Sequence, residues 1–282
     1  MTLQGIGLAG CGRMGAGMLA ALRRAGLDAQ GFDVRPAAEF GALAPAVSND
    51  PVEFAKGLRT LLTVVRDIAQ TDEVLFGTQG FARAPGLERI IVCSTLSPRY
   101  VLGLRDRVPA HVTLIDAPMS GAQIAADEAR LSFMLGGAPE ALDTAQPLFA
   151  AMGRHFHRMG GFGAGMQAKV LNNLLAAANT AMTRLVLDWA DEAGLDEAAL
   201  LALIATSSGQ NWFASGFDNI EFARDGFDPE NTIGILVKDV ASALDAAPEG
   251  ADTSLPETVQ ALLRHLSPRP KTFPESFGKS FP

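Results

Sequence analysis

The stretch GIGLAGCGRMGAGMLAALRRAG, residues 5–26, joins an apolar run directly to a helical pattern through a glycine-rich turn. This junction limits the folds open to the chain more than any other feature. GIGLAG reads as a buried strand and MGAGMLAALRRAG as a helix that stops at Gly26. The same alternation continues downstream. AQGFDV is a second strand, VEFAKGL is helical, and TLLTVV is a strand. RIIVCST and VTLIDAP are strands separated by the helical SPRYVLGLRDRV, and LSFMLGG is a further strand. Strands that alternate with helices predict βαβ units, hence a mostly parallel sheet covered by helices on both faces.

Beyond GRHFHRMGGFGAG, residues 153–165, the pattern changes. Strand-like runs give way to helical spacing from Met166 to about Leu266, with breaks at Gly194, Ser208-Gly209 and Gly226-Phe227. The glycines near 161–165 mark a joint. The expected organisation is an α/β domain over residues 1–162 and an all-α domain over 163–282. The proline-rich tail from about residue 267 is expected to be extended or disordered. No repeat of solenoid period is visible.

Composition removes several function classes. The 282 residues are 48% apolar with a formal net charge of −8 and no run of Lys or Arg. That disfavours nucleic acid or an anionic membrane as a partner but permits a small anionic substrate bound locally. The most apolar segment, Val170 to Ala190, is interrupted by Arg184 and Asp188 and makes a poor membrane span. The two cysteines, Cys11 and Cys93, are far apart without metal-ligand spacing. This points to a reduced, cytoplasmic setting and to no metal site. The first residues, MTLQGIGLAG, lack the positive region of a signal peptide.

GCGRMG places Gly10, Gly12 and Gly15 in G-x-G-x-x-G spacing. Glycine-rich turns are common, but this one follows a strand and opens a helix, as a dinucleotide cradle requires. Gly10 allows the tight turn, Gly12 the approach of a pyrophosphate, and Gly15 close helix–strand packing. Cys11, Arg13 and Met14 complete the loop, with Cys11 read as a small filler. Asp33 ends the second strand about twenty residues on, where an acid can hold the ribose hydroxyls and repel a 2′-phosphate. Arg35 can meet a 2′-phosphate or stay a solvated charge. NAD is favoured, with NADP possible.

DAPMSGAQIAADEARLSFMLGG, residues 116–137, places Ser120 and Gly121 after a strand, where a hydroxyl and backbone N–H groups suit a carboxylate or simply make a turn. GAGMQAKVLNN, residues 163–173, opens the helical half with Lys169 and Asn173 four residues apart and so on one helix face. Leu171, Leu174, Leu175, Ala178, Met182, Leu185 and Trp189 follow as an apolar stripe expected to face a core. A lysine buried at such a helix start is a less stable cation and can exchange a proton near working pH. The competing reading is a lysine that snorkels to solvent.

GLAGCGRMG, DAPMSGAQIAADEARLSFMLGG, GGFGAGMQAKVLNN and ILVKDVASALD follow one another in register from residue 7 to 245, with CSTLSP as a softer fifth match. Together they resemble the β-hydroxyacid dehydrogenase family, which includes 3-hydroxyisobutyrate dehydrogenase and tartronate semialdehyde reductase. The resemblance implies a Rossmann-type domain and an all-helical domain hung on one long helix. It also implies metal-free, NAD- or NADP-dependent oxidation of a hydroxy acid. By position, Lys169 matches the catalytic lysine, and Ser120, Gly121 and Asn173 match substrate-binding groups. Lys238 matches a lysine near cofactor and substrate, and Thr95 a nicotinamide-side contact. Relatives of this kind are commonly oligomers, so a homodimer or homotetramer is expected.

The match has departures. Ala122, Ala125 and Ala129 stand where the family pattern has glycine, and Arg130 stands where it has a small or hydroxyl residue. Added methyls disfavour positive φ, and this bears on the substrate rather than the reaction. VVRD, residues 64–67, replaces a leucine-proline pair, so Val65 and Arg66 are expected to meet the cofactor through backbone alone. His155 and His157 read as surface or interdomain residues, and Trp212 as pocket wall or core. Two rivals keep the fold: an imine reductase-like enzyme, against which Lys169 argues, and a non-catalytic dinucleotide-binding module, which needs no proton relay.

Overall fold

The computed structural model of the chain describes residues 3–270. Contacts divide it into two compact units, Met1–Leu171 and Asn172–Pro282. The first unit holds the strands β1 (Ile6–Ala9), β2 (Ala29–Phe32), β3 (Val47–Ser48), β4 (Thr60–Thr63), β5 (Arg89–Val92), β6 (Thr113–Asp116), β7 (Met119–Ser120), β8 (Leu131–Gly136) and β9 (Gly153–Gly160). They form one sheet in the order β3-β2-β1-β4-β5-β6-β8-β7, with β9 on β8. The first six are parallel. β8 runs antiparallel to β6 and β7 and parallel to β9.

This is the doubly wound order, and it follows from the sequence period. All four residues of β1 and all four of β4 are buried. Successive strand residues point to opposite faces. Leu62, Ile91 and Ile115 accordingly join one apolar cluster, with Leu8, Met18 and Phe149. Their neighbours Leu61, Ile90 and Leu114 join the other, with Phe54, Phe81 and Leu104. A sheet with apolar groups on both faces needs helices on both faces. These are α1 (Arg13–Arg24), α2 (Pro51–Ala55), α3 (Ile68–Leu75), α4 (Pro98–Arg107), α5 (Gln123–Asp127) and α6 (Pro139–Met152). Asp50, followed by Pro51, caps α2, and Asp67 caps α3.

α7 (Ala164–Glu192) starts in the first unit and continues into the second. There it is joined by α8 (Glu197–Ala205), α9 (Trp212–Ser215), α10 (Thr232–Asp245) and α11 (Ser254–Arg264). Asp196, Asn211 and Asn231 cap α8, α9 and α10. Ala177, Ala181, Ile233, Val240 and Leu263 form one apolar cluster, and Leu187, Phe213, Phe217 and Ala223 another. The expected fold class, a doubly wound α/β unit followed by an all-α unit on a long helix, is what the chain adopts. No helix among the described residues is long and apolar enough to cross a membrane.

One expectation is corrected in part. Only some of the apolar stripe of α7 faces a core: Leu174 and Ala178 pack against a buried cluster, whereas Leu171, Leu175, Met182 and Trp189 are exposed. The buried face instead carries Met166, Lys169, Val170, Asn173, Ala177, Thr180, Ala181 and Arg184. Arg184 is buried because its guanidinium donates to the carbonyls of Ala223, Asp225 and Ser267. The tail, expected to be extended or disordered from about residue 267, is described only as far as residue 270. Residues 267–270 lack regular structure, yet Arg269 is buried and pairs with Asp188, Asp191 and Glu197. The rest of the tail lies outside the described residues.

Among the alanines at family-glycine positions, only Ala129 takes positive φ, at 54°. An L-residue there carries about 1–2 kcal/mol of strain. Part of this is offset because glycine gives the unfolded chain more freedom to lose. Ala129→Gly should therefore stabilise the fold by about 0.5–1 kcal/mol. A raised urea midpoint would show this, and an unchanged or lowered one would contradict it.

Candidate active site

The five central parallel strands point their carboxyl ends to one edge, and most sequence-predicted residues lie there. The glycine loop follows β1, which sits between β2 and β4 where the strand order reverses. Gly10 has φ 97°, and a Cβ on it would lie 2.6 Å from the carbonyl oxygen of Val64. A Cβ on Gly15 would lie 1.9 Å from the carbonyl oxygen of Gly10. Neither position admits a side chain, so α1 starts hard against β1. At Gly12 a Cβ would meet nothing within 4 Å. The loop is thus closed toward the protein and open at the glycine that a pyrophosphate would approach. No side chain caps α1 and no acid lies in its first turn, so Arg13 and Met14 begin a helix whose N–H groups suit an anion. These residues fit a dinucleotide.

Asp33 and Arg35 form a clip on this loop. Asp33 Oδ2 accepts the Cys11 N–H at 2.9 Å. Arg35 donates through Nε to Asp33 Oδ1 at 3.0 Å and through Nη2 to the Cys11 carbonyl at 3.2 Å. The guanidinium also lies over the Phe40 ring, 4.7 Å from its centroid. Burial works against the Asp33 charge, but the hydrogen bonds from Arg35 and Cys11 outweigh it and hold the carboxyl below its ordinary value. Arg35, expected as either a phosphate contact or a solvated charge, is in this structure a partner of Asp33. Burial, then the Asp33 charge, pushes the Cys11 thiol up to about 12. Its sulfur packs beneath Gly31. Cys11 is a filler, as expected.

Val65 and Arg66 follow β4. The Val65 N–H donates to Ser94 Oγ at 3.0 Å and the Arg66 N–H to Gln70 Oε1 at 3.0 Å, so both donors already serve the chain. Thr95 is half-buried after β5. Ser120 ends β7, and Gly121 has φ 127° with no room for a Cβ beside Ala125. Ala122 is exposed as the N-cap of α5. Arg130 is exposed and paired with Glu128. Lys169 is 7% exposed, in the second turn of α7.

In the second unit, Asn173 is 8% exposed and its Nδ2 donates to Asp239 Oδ2 at 2.5 Å. Lys238 Nζ lies 2.8 Å from Asp239 Oδ1. One buried carboxylate therefore joins two predicted site residues. Sequence reading passed over Asp239. The available signal was an acid inside the apolar helix ILVKDVASALD. Asp116 was passed over too; it ends β6 and is fully buried. His155 and His157 are exposed on β9. Trp212 is partly exposed and packs on Phe213 and Phe222.

Two family profiles cover this arrangement. Residues 5–161 match the NAD binding domain of 6-phosphogluconate dehydrogenase, and residues 163–269 the NAD-binding region of NADP-dependent 3-hydroxyisobutyrate dehydrogenase. The chain belongs to the β-hydroxyacid dehydrogenase family. An L-threonate dehydrogenase of Cupriavidus necator is 31% identical over 252 residues, 86% of this chain and 84% of that one. A 3-hydroxyisobutyrate dehydrogenase of Pseudomonas aeruginosa is 32% identical over 211 residues, 73% of this chain and 71% of that one. The structure of a Mycobacterium tuberculosis 3-hydroxyisobutyrate dehydrogenase with L-serine is 26% identical, with a TM-score of 0.77, covering 95% of this chain and 96% of that one. As a member of this family, the chain is an NAD(P)-dependent oxidoreductase acting on the CH–OH group of a hydroxy acid.

Proposed function

We propose that the protein oxidises a small hydroxy acid of the 3-hydroxyisobutyrate type, or reduces the matching semialdehyde, with Lys169 as the proton-transfer residue. The observation that carries this reading is the burial of Lys169 on the face of α7 that also buries Asn173, while the adjacent Leu171 and Leu175 are exposed. A helix start built only for packing would bury those two leucines. The relatives include dehydrogenases of L-threonate and 3-hydroxyisobutyrate. All are short acids with a hydroxyl near the carboxylate, as is L-serine, bound in a structural relative.

The roles divide by chemistry. Gly10, Cys11, Gly12, Arg13 and Met14 present backbone to the pyrophosphate of the cofactor, and Asp33 faces its adenosine ribose. Val65, Arg66 and Thr95 line the carboxyl edge beyond it. Ser120 offers a hydroxyl and Gly121 a backbone N–H to the substrate carboxylate. Asn173 and Lys238, joined through Asp239, recognise polar groups of the ligands. Bound NAD(P) supplies the hydride acceptor for the carbinol carbon. Lys169, as the neutral amine, takes the carbinol proton in oxidation and returns it in reduction. The functional boundary is placed at 162/163. A homodimer or homotetramer, built by residues of the helical half, is supported by Leu175, Met182 and Trp189, exposed at seven-residue intervals on α7. A cytoplasmic setting rests on the two free, buried thiols.

Asp33, held ionised by Arg35 and Cys11, favours NAD over NADP because its charge repels a 2′-phosphate. The expected kcat/KM with NAD exceeds that with NADP, and Asp33→Ser narrows the gap. It also raises KM for both, since Cys11 loses its acceptor. A parent enzyme that works equally well with NADP would contradict this and make Arg35 the phosphate reader.

Lys169→Ala should lower kcat by about 10²–10⁴-fold while NADH still binds. Lys169→Arg should not restore the rate, because a guanidinium stays protonated. Steady-state rates on 3-hydroxyisobutyrate, L-threonate and L-serine, with NADH titration as the folding control, check this. Retention of more than about a third of the parent kcat by Lys169→Ala would sink the assignment.

A further inference from the structure

Asp116 is a fully buried carboxylate that no step above uses. It ends β6, and its two oxygens both reach the start of α7. Oδ1 accepts the N–H of Gly163 at 2.6 Å, and Oδ2 accepts the N–H of Met166 at 2.5 Å. Two glycines make room for it. A Cβ on Gly136 would lie 2.2 Å from Oδ1, and one on Gly165 would lie 2.9 Å from Oδ2. The Met166 side chain adds a second tie, because its sulfur accepts the Leu96 N–H at 3.3 Å, next to Thr95. Burial pushes the Asp116 carboxyl above its ordinary range, and the N–H groups of Gly163 and Met166 oppose this.

The placement has a mechanical consequence. An acceptor at a helix start satisfies N–H groups that the helix itself leaves open. Here the acceptor belongs to the sheet, so it fixes α7 in rotation and height against the carboxyl edge. Lys169 follows Met166 by three residues, within one turn. A rigid helix passes any shift of its first turn directly to the lysine.

We propose that Asp116 is a positioning residue: its carboxylate seats the first turn of α7 on the sheet and so sets the reach of Lys169 to the carbinol oxygen. This rests on Lys169 being the proton-transfer residue. Removing the anchor impairs proton transfer more than ligand binding, because the glycine loop and Ser120 do not depend on it. A misplacement of about 1 Å can cost about 100-fold in rate.

The test is Asp116→Asn, measured beside Lys169→Ala on whichever of 3-hydroxyisobutyrate, L-threonate or L-serine the parent turns over best. The amide keeps the shape but turns a donor toward one of the two N–H groups. Rates are counted per NADH-binding site, so partial unfolding does not imitate a slow enzyme. Asp116→Ser, which keeps one acceptor oxygen and relieves volume, replaces it if the asparagine variant does not accumulate. The expected result is a kcat about 10–100-fold lower, with KM for the acid and Kd for NADH within about twofold of the parent. A kcat per site within about twofold of the parent, even with a lowered Tm, overturns the proposal and leaves Asp116 a packing group. So does a rate loss matched by an equal rise in KM or Kd. If Lys169→Ala keeps the parent rate, the reading of the lysine fails and this inference fails with it. A slow Lys169→Ala beside a full-rate Asp116→Asn overturns the inference alone.

Discussion

The approach of α1 to β1 sets the terms for the rest of the molecule. Gly15 sits so close to the Gly10 carbonyl that a single methyl would collide with it. That contact aims the open end of α1 at the space beyond Gly12, where the protein places no atom of its own. Asp33 and Arg35 then hold Cys11 by both its N–H and its carbonyl, so the loop is rigid before a ligand arrives. A preformed loop spends little entropy on binding. Neighbouring parallel strands bring Val65, Thr95 and Ser120 to the same sheet, since each follows or ends a strand of it.

Much of this was legible in the sequence, for a physical reason. Strand alternation and the glycine cradle are local properties, written in residue period and backbone freedom. β1, β4, β5, β6 and β8 fall within the apolar runs that predict them. Ala129 stands where glycine is the usual choice, and among the described residues it alone of the non-glycines takes positive φ. The resemblance of four motifs to one family singles out Lys169, Ser120 and Asn173 as candidates by register.

What the sequence hid depends on partners far along the chain. Leu171, Leu175, Met182 and Trp189 have the spacing of a core stripe, yet they face outward. Hydrophobic spacing alone does not say which side of a helix is buried. Arg184 looked like a break in an apolar helix, but carbonyls 39, 41 and 83 residues away bury it. Arg269 looked like part of a loose tail until Asp188, Asp191 and Glu197 were placed around it. Asp116 and Asp239 each sit beside residues read for other reasons. Their roles appear only when a strand end meets a helix start, or when α10 meets α7.

Isotope transfer reads out whether hydride passes straight from a carbinol carbon to the cofactor. The purified chain would be incubated with NAD and with 3-hydroxyisobutyrate, L-threonate or L-serine carrying deuterium at the carbon that bears the hydroxyl. The NADH formed from the accepted acid should gain one deuterium per turnover at the nicotinamide ring, with none washed out to water. Oxidation that leaves the NADH unlabelled, or no NADH from any of the three acids, would contradict it.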